Sequence, residues 1–281
     1  MCKKEQKKYK HRVCILLTAC ISPNGMSYTV LQDPKLREEQ YRKALDYYIR
    51  ATDIPIIFCE NTLSDFSSDY LFHIQSGRLE YMTFDGNNYN KLRGKGYGEA
   101  LIMKYVVDNS ETIRDCKYVI KITGRLIITD IRRIVYSPLL CLDNLFRSNI
   151  KEKFISTYLF IARPRLLQKF VNKYTNLIWE DSPTNDLIEH LWFRAITIDS
   201  EFNGITYIPF ISIPKVEGIS GTTGEHYSMD DRLIGNMVYS YGFARERNSR
   251  VVALLYLMTY YVLLFRDRLE VKLGMRKKSF F

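Results

Sequence analysis

The stretch KYVIKITGRL, residues 117–126, decides the fold that the sequence predicts. It reads as a buried strand that runs directly into a glycine and basic side chains, which is typical of the centre of an α/β sheet. Ligands of such sheets bind at the carboxyl ends of the strands, so this end is a candidate binding site. Two cations there can neutralise a diphosphate, the glycine permits close backbone approach, and the threonine can donate a hydrogen bond. A strand that ends at a solvated turn is the alternative interpretation. The candidate residues are Lys121, Thr123, Gly124 and Arg125.

Three further apolar runs predict strands in the first half of the chain. They are RVCILLTACIS (12–22), IPIIFCEN (54–61) and LEYMTFDG (79–86). Two helices are predicted among them: one over residues 33–52, with Asp33 as N-cap, and one that follows the glycine-rich segment 87–100. The order strand, helix, strand, strand, helix, strand is typical of a nucleotide-binding α/β half built from crossover units.

The second half of the chain has a different pattern. Residues 132–148 are predicted to be helical or mixed, and residues 153–174 to form a strand that leads into a helix. A second amphipathic helix is predicted over 182–196, with Ser182 or Thr184 as its cap. A strand at 204–214 then precedes a Gly/Thr-rich loop at 215–231, whose length is typical of a functional lid or of disorder.

The positive charge of the chain lies at its two ends. The formal net charge is +10, of which residues 1–12 carry +5 and residues 241–281 carry +6, leaving −1 for the body. This distribution argues against a broad nucleic-acid-binding face and favours contact with an anionic surface. The six cysteines occur singly, which is typical of reduced thiols in a cytosolic protein.

An uninterrupted apolar run at residues 251–265 is flanked by basic residues. Fifteen helical residues span about 22 Å, less than the roughly 30 Å hydrocarbon core of a bilayer. We therefore predict a monotopic anchor on the cytoplasmic leaflet. A buried core helix, or half of a homodimer interface formed by C-terminal helices, remains the alternative.

Other polar groups are expected to collect near the same sheet edge. In RGKGYGEA (93–100), free backbone amides at a helix start and two cations predict an anion site, although the glycine spacing is not the dinucleotide fingerprint and a flexible turn is the alternative. Acids in WEDSPTNDLIEH (179–190) are candidate bases for an acceptor hydroxyl, or simply helix N-terminal acids. A histidine in the Gly/Thr-rich loop is a candidate contact to a diphosphate or a metal. The candidates are Thr18, Ala19, Pro23, Glu60, Asn61, Arg93, Lys95, Gly96, Glu180, Asp181, Asp186, Glu189 and His226.

In the order of its predicted strands, helices and polar segments, the sequence resembles the GT-A-fold glycosyltransferases of bacterial capsule, exopolysaccharide and O-antigen synthesis, broadly the family 2 enzymes. The resemblance covers roughly residues 12–230 and rests on topology more than on strict motifs. In that family, a first loop holds the nucleotide base, and a polar residue after the second strand contacts the base or ribose. The corresponding residues here are 18–23 and 60–61. A glycine-rich basic segment opens the helix under the nucleotide, and the next strand ends at the diphosphate; these correspond to residues 93–100 and 121–125. Together with the charged ends and the apolar run, the resemblance predicts a basic arm (1–12), a transferase domain (13–235) and a membrane-associating helical tail (236–281). Within the domain, it implies a nucleotide-sugar-binding half (13–130) and an acceptor half (131–235).

The resemblance also implies a function. It implies transfer from a nucleotide-diphosphate-sugar donor to a lipid-linked or growing polysaccharide, with Asp181, or else Glu180, as the base of an inverting reaction. It places the protein in the cytoplasm, peripheral to the inner face of the cell membrane. A non-catalytic membrane scaffold or nucleotide-sensing subunit is the competing interpretation, and a nucleotidyltransferase is a further one.

The chain departs from the family at one position. The family usually ends this strand in a DxD-type acid pair that holds Mg²⁺ or Mn²⁺, whereas this chain has Thr123, Gly124 and Arg125. A guanidinium cannot coordinate a divalent metal, which needs oxygen ligands. Either the charge of the leaving group is stabilised without metal, by Lys121, Arg125, Arg93 and Lys95, or Asp130 or another acid holds a metal. The first is the simpler prediction.

Overall fold

A computed structural model describes most of the chain between residues 13 and 227. The described ranges are 13–135, 144–149, 152–181, 183–184, 186–205, 207–210, 214–221 and 223–227, together with residues 258, 262, 265, 269, 272 and 273. The predicted basic arm (1–12) and most of the predicted tail lie outside the described residues.

The centre of the fold is a seven-stranded mixed sheet. Its strands are β1 (Val13–Ala19), β2 (Ile56–Glu60), β3 (Leu79–Thr83), β4 (Tyr118–Thr123), β6 (Asn144–Phe146), β9 (Leu159–Ala162) and β10 (Tyr207–Pro209), in the order β10-β6-β9-β4-β1-β2-β3. Strands β1 to β4 run parallel, whereas β9 is antiparallel to both β4 and β6. Two small antiparallel pairs, β5 (Ile127–Ile128) with β11 (Val216–Glu217) and β7 (Ser148–Asn149) with β8 (Phe154–Ile155), lie beside it.

Helices cover both faces of the sheet. They are α1 (Pro34–Ala51), α2 (Leu71–Gln75), α3 (Gly94–Asn109), α4 (Glu111–Asp115), α5 (Ile131–Val135), α6 (Pro164–Tyr174) and α7 (Ile188–Thr197). Side chains of α1 and α5 pack on one face, and those of α3, α6 and α7 on the other. Because both faces are covered, all seven residues of β1 are buried, which explains its continuous apolar run. The predicted order of strands and helices in the first half and the predicted mixed α/β class are confirmed.

Helix α1 shows how local sequence sets these elements. The Asp33 carboxylate accepts hydrogen bonds from the backbone N–H of Lys35 and Leu36, at 2.8 and 3.3 Å, as predicted for an N-cap. The helix then buries Tyr41, Ala44, Leu45 and Tyr48 against the sheet, together with Arg37. An arginine in this buried stripe is unexpected, and it belongs to the candidate site.

The helix predicted over 182–196 begins later than expected. Helix α7 begins at Ile188, with Leu187 as N-cap and no side-chain cap, so the prediction of a cap at Ser182 or Thr184 is wrong. A β-bridge joins Trp179 to Asp186 just before the helix. Tertiary pairing therefore overrides the local capping signal.

The described positions of the C-terminal segment agree in part with the predicted helical tail. Met258, Val262, Phe265 and Leu269 are helical, and their side chains are exposed. Over the described residues, the structure contains no helix that is long and apolar enough to cross a membrane.

A charged side chain is buried in the middle of β4. Lys121 is fully buried, and its ammonium donates hydrogen bonds to Glu99 Oε1 on α3 and, at 2.6 Å, to the backbone carbonyl of Thr157. Burial lowers the pKa of Lys121, and the Glu99 carboxylate opposes that shift. An ion pair in this position ties β4 to α3 and to the segment that precedes β9.

The ion pair between Lys121 and Glu99 leads to a testable prediction about stability. Lys121→Met leaves the Glu99 carboxylate without its partner in a largely buried place, and we expect a loss of about 3 kcal/mol in the free energy of unfolding. Adding Glu99→Gln removes the stranded charge, so the double variant should recover at least half of that loss. Urea unfolding of the three proteins measures both effects. A single variant as stable as the wild type would contradict this assignment.

Candidate functional site

A cavity of about 390 Å³ opens at the carboxyl ends of β1, β2 and β4. Its walls come from the first turns of α3, from α7, from the segment between β8 and β9, and from the Gly/Thr-rich segment around Gly221 and Tyr227. The volume suits a small-molecule ligand, and the carboxyl edge is where α/β sheets bind them. Part of the predicted set lines this cavity, namely Thr18, Ala19, Pro23, Asn61, Lys95, Gly96, Thr123 and Arg125.

Glu60 does not line the cavity, because its carboxylate organises the backbone of neighbouring loops. The side chain is fully buried, and it accepts hydrogen bonds from the backbone N–H of Ile21, Thr62 and Ser64 at 2.9, 2.7 and 3.0 Å. The carboxylate thus ties the loop after β1 to the loop after β2. Its predicted contact with a base or ribose has no support in this geometry.

Glu180 is likewise engaged with the protein itself. Its Oε1 accepts a hydrogen bond from the backbone N–H of Gly96 at 2.7 Å, at the start of α3. Burial raises the pKa of Glu180, whereas the hydrogen bond from Gly96 opposes that rise. The anion site predicted at this helix start is therefore occupied by the carboxylate of Glu180, which does not itself line the cavity.

Asp181 and Arg93 also lie outside the cavity lining. Asp181 is exposed, and its carboxylate accepts a hydrogen bond from the Tyr28 hydroxyl at 3.4 Å. The Arg93 guanidinium donates to the carbonyl oxygens of Asn176 and Ile178 at 2.7 and 3.0 Å. Arg93 thereby joins the start of α3 to the loop after α6, which is a structural role and not the predicted phosphate contact.

Three more residues that were predicted to contact a ligand contact the protein instead. Lys121 is sealed beneath the cavity by its ion pair with Glu99. Gly124 permits close approach as expected, but to a strand: a Cβ there would lie 2.8 Å from the backbone oxygen of Thr18. His226 is exposed and forms a backbone bridge with Ile219.

Two buried arginines are the main cations of the cavity. Arg37 and Arg125 are 5% and 9% exposed, and both line it. Arg37 donates to the backbone carbonyls of Cys20 and Leu31 at 2.8 and 3.1 Å, and Arg125 donates to the carbonyl of Ile219. Burial lowers the pKa of Arg125. Among the described residues, neither guanidinium forms an ion pair with a carboxylate.

Two carboxylates also line the cavity, Glu99 and Glu189. Glu189 accepts a hydrogen bond from the Thr157 hydroxyl at 3.0 Å. Burial raises the pKa of Glu189, and the negative charge of Glu99 raises it further. Glu99 Oε1 accepts from the hydroxyls of Thr18 and Thr123 at 3.3 and 3.4 Å, in addition to Lys121. The acidic segment was predicted to hold a base, and Glu189 is the member of it that reaches the cavity.

Asn61 presents a polar atom without a partner. The residue is 1% exposed, and its Nδ2 donates weakly to the carbonyl oxygen of Gly86 at 3.4 Å. Within the described part of the chain, its buried Oδ1 has no hydrogen-bond partner. Buried polar atoms are seldom left unpaired, so a ligand N–H is a natural partner for this oxygen.

Sequence reasoning missed Arg37, Tyr41, Glu99 and Tyr227 as parts of the cavity. A signal for Arg37 was present, because it lies four residues before Tyr41 on the buried face of α1. Glu99 lies within RGKGYGEA, directly after its last glycine, but nothing in the sequence pairs it with Lys121.

A divalent metal does not fit the end of β4. Thr123, Gly124 and the buried guanidinium of Arg125 occupy the place of the acid pair, and they do not supply a set of hard oxygen ligands. Over the described ranges, no group of three or more His, Cys, Asp or Glu is placed to hold a metal ion.

The role of Glu60 can be tested directly. Glu60→Gln replaces one acceptor oxygen by an N–H donor beside backbone N–H groups, so we expect a loss of about 2 kcal/mol in the free energy of unfolding. The affinity for a nucleoside diphosphate, the ligand that the sequence predicts, should be the same in the folded variant as in the wild type, because the side chain does not reach the cavity. Urea unfolding and calorimetric titration measure the two quantities. Weaker nucleotide binding at unchanged stability would restore the predicted ligand contact.

Comparison with known proteins adds only a likeness of fold. No family profile and no curated protein matches the sequence. Among solved structures, the chain is similar to a candidate nucleotide-diphospho-sugar transferase from Desulfovibrio desulfuricans G20, at 10% identity and a TM-score of 0.40, over 70% of this chain and 80% of that one. It is also similar to an active-site mutant of LgtC, at 9% identity and a TM-score of 0.41, over 69% of this chain and 72% of that one. A third similar structure is 4-diphosphocytidyl-2C-methyl-D-erythritol synthase from Anaerococcus prevotii DSM 20548. The identity is 11% and the TM-score is 0.35, over 82% of this chain and 96% of that one. Scores of this size do not decide between activities, and the geometry of the cavity carries the functional argument.

Proposed function

We propose that the protein is a glycosyltransferase. It binds a nucleotide-diphosphate-sugar donor in the cavity at the ends of β1, β2 and β4 and transfers the sugar to a lipid-linked or growing polysaccharide. The observation that carries this proposal is the pair of buried arginines, Arg37 and Arg125, that line one cavity without a carboxylate partner among the described residues.

The charge of the cavity matches a diphosphate. Arg37, Lys95 and Arg125 supply three positive charges and Glu189 one negative charge, while Glu99 is already paired with Lys121. Guanidinium groups bind phosphate oxygens through paired N–H donors, and such bonds are strong where water is excluded. Binding of a diphosphate therefore compensates the cost of burying these cations, and the same cations stabilise the charge that develops on the leaving nucleotide.

The end of β2 suits the base of the nucleotide. The unpartnered Oδ1 of Asn61 accepts a hydrogen bond from a base N–H, while Ala19, Pro23 and Tyr89 supply apolar and aromatic surface in the same cavity. Buried acceptors of this kind discriminate strongly against ligands that leave them unpaired.

Glu189 is the base in this proposal. It lines the cavity and is oriented by Thr157, whereas Asp181 is bound to Tyr28 and Glu180 to the start of α3. A raised pKa suits a group that takes a proton from an acceptor hydroxyl near neutral pH. The proton moves from the hydroxyl to a Glu189 carboxylate oxygen as the hydroxyl oxygen attacks the anomeric carbon and the bond to the nucleotide diphosphate breaks.

The proposal also covers the setting of the reaction. A cytoplasmic protein at the inner membrane face, held by the apolar and basic C-terminal segment, would meet a lipid-linked acceptor there. Capsule, exopolysaccharide or O-antigen synthesis is the proposed context.

The donor site is tested by titrating the protein with uridine, guanosine, adenosine and thymidine diphosphates and by measuring nucleoside diphosphate release from their sugar conjugates, with and without EDTA. We expect binding of at least one nucleotide. Arg125→Gln should weaken that binding by about 10²-fold, because it removes a desolvated charge–phosphate contact. Arg165→Gln, an exposed cation outside the cavity, is the matched control. No binding of any nucleotide would refute the proposal, and binding without turnover would favour the nucleotide-sensing alternative.

Glu189→Gln should separate catalysis from binding. We expect transfer to fall by about 10²-fold or more, with donor affinity unchanged, because an amide cannot accept the proton. In the wild type, kcat should fall as pH drops below the raised pKa of Glu189, and this acidic limb should vanish in the variant. Asp181→Asn serves as control and should keep its activity. The reverse result would return the base to Asp181.

The same substitution has a consequence for stability. A raised carboxyl pKa in the folded state means that folding takes up a proton between the unfolded and folded values, so stability falls as pH rises through that window. Glu189→Gln abolishes this loss, and the variant should be more stable than the wild type at neutral pH. Thermal unfolding measured from mildly acidic to neutral pH checks the sign.

A further inference from the structure

A second cavity, of about 510 Å³, lies at the edge of the sheet opposite the proposed donor site. It is lined by residues that precede β4, by residues at the start of α6 and by the ends of α3 and α4. Strand β9 is antiparallel to β4, and Val119 pairs with Ala162, so the chain enters β4 and leaves β9 at the same edge. The proposed donor site lies at the carboxyl ends of β1, β2 and β4, and the two cavities share no lining residue.

Four cations converge on this second cavity, which we call the basic pocket. Arg114 and Lys117 come from the segment before β4, and Arg163 and Arg165 flank Pro164 at the start of α6. No Asp or Glu is among the described residues that line the pocket. Within the ranges that the structure describes, no carboxylate forms an ion pair with any of the four. The pairing of β4 with β9 therefore gathers like charges from two separate segments.

The acids around the pocket do not cancel this charge. The carboxylate of Asp108 is already paired, at 2.8 Å, with a lysine one turn before it. Glu80 lies on β3, three strand spacings or about 14 Å from β4, which exceeds the Debye length at physiological salt. Glu111 and Asp115 share α4 with Arg114, but neither lines the pocket. Even with both counted, the four cations exceed the acids beside them.

The N-terminal segment adds to the positive charge of this edge. The chain enters β1 at Val13, which pairs with Tyr118, the first residue of β4. Residues 1–12 lie outside the described residues, but their net charge of +5 is joined to the fold beside the basic pocket. This edge is therefore more positive than the lining of the pocket alone indicates.

The contacts of the four cations leave their charge available to a ligand. Arg114 donates to the backbone carbonyl oxygen of Asp108 at 3.2 Å, and Arg163 donates to the Tyr118 hydroxyl at 3.4 Å. The Lys117 ammonium lies 5.5 Å from the centre of the Tyr118 ring. Each of these partner groups is neutral, so the contacts position the side chains without neutralising them.

The chemistry of the pocket favours an anion that carries several charges. All four cations are exposed, and a single exposed ion pair contributes little to binding, so a ligand must contact several of them at once. Three of the four are arginines, whose paired N–H donors match phosphate oxygens. A triphosphate chain carries as many negative charges as the pocket has cations, whereas an orthophosphate or a sugar nucleotide carries fewer.

The shape of the pocket favours a small ligand over a membrane. A bilayer is bound by apolar side chains that insert below the headgroups. The apolar residues that line this pocket, Val107, Ile113 and Cys116, are not exposed.

We propose that the basic pocket binds a small soluble anion with a triphosphate chain. The pocket is separate from the proposed donor site, so this inference does not depend on the proposed function.

Calorimetric titration of the full chain with inorganic tripolyphosphate, at fixed ionic strength, tests the inference. Because the proposed donor site would bind the same probe, the titration is made first on Arg125→Gln, in which that site is weakened. We expect one binding site, with an affinity at least tenfold higher for tripolyphosphate than for orthophosphate. Adding Arg163→Gln and Arg165→Gln should weaken tripolyphosphate binding by about tenfold or more, because two of the four phosphate contacts are lost.

A second double variant controls for the loss of charge. Lys35→Gln with Arg50→Gln removes two exposed cations of α1, which packs on the other face of the sheet, and should leave the affinity unchanged. The wild type gives an independent measurement: Arg163→Gln with Arg165→Gln should remove the phase of the basic pocket and leave any phase of the donor site. Thermal unfolding confirms that each variant is folded.

Three results would overturn the inference. They are no binding of tripolyphosphate to Arg125→Gln and to the wild type, equal affinities for tripolyphosphate, orthophosphate and citrate, and equal effects of the two double variants. A wild type that shows only the phase of the basic pocket would support this inference while counting against the proposed donor site, so the two proposals fail separately.

Discussion

One oxygen atom, Oε1 of Glu99, holds together the elements that form the floor of the cavity. It accepts hydrogen bonds from Lys121 on β4, from Thr18 on β1 and from Thr123 at the end of β4, while Lys121 also reaches the carbonyl of Thr157. Taking an ammonium out of water is expensive, and such a pair stabilises a fold only when its geometry and remaining hydrogen bonds are satisfied. Here the pair fixes the relative positions of α3, β1, β4 and the segment before β9.

This pair also decides which charges remain for a ligand. Lys121 and Arg125 look equivalent in the sequence, four residues apart at one strand end. The end of the strand separates them. Lys121 lies within β4 and pairs with Glu99 on α3, whereas Arg125 lies in the turn beyond Thr123 and bonds to the carbonyl of Ile219 in the Gly/Thr-rich segment. The cation that supplements Arg125 is therefore Arg37 from α1. The proposed stabilisation of a diphosphate by basic side chains therefore rests on Arg37, Lys95 and Arg125, with Lys121 acting through Glu99.

The sequence was sufficient for the strands and insufficient for the partners of polar side chains. Strand β1 could be predicted because burial on both faces requires a continuous apolar run, and α1 because Asp33 caps it locally. Glu60, Glu180 and Arg93 were assigned to the ligand because each stands near the predicted edge, yet each bonds to backbone groups up to 85 residues away. Local pattern contains no information about such distant partners. The same limit explains why Glu189 could not be separated from the three other acids of its segment.

The start of α3 shows how this choice of partners shapes the chemistry. A helix N-terminus favours an anion, and the glycines of RGKGYGEA allow close approach. The carboxylate of Glu180 occupies that position without lining the cavity. The N-terminus of α3 therefore stabilises a carboxylate of the protein itself and not a ligand. A bound diphosphate must then be neutralised by side chains, and Arg37 and Arg125 are the buried groups available in the described cavity. Because Arg125 also bonds to the carbonyl of Ile219, a phosphate that draws its guanidinium inward would compete with that contact, and the proposed donor binding would then be coupled to the Gly/Thr-rich segment.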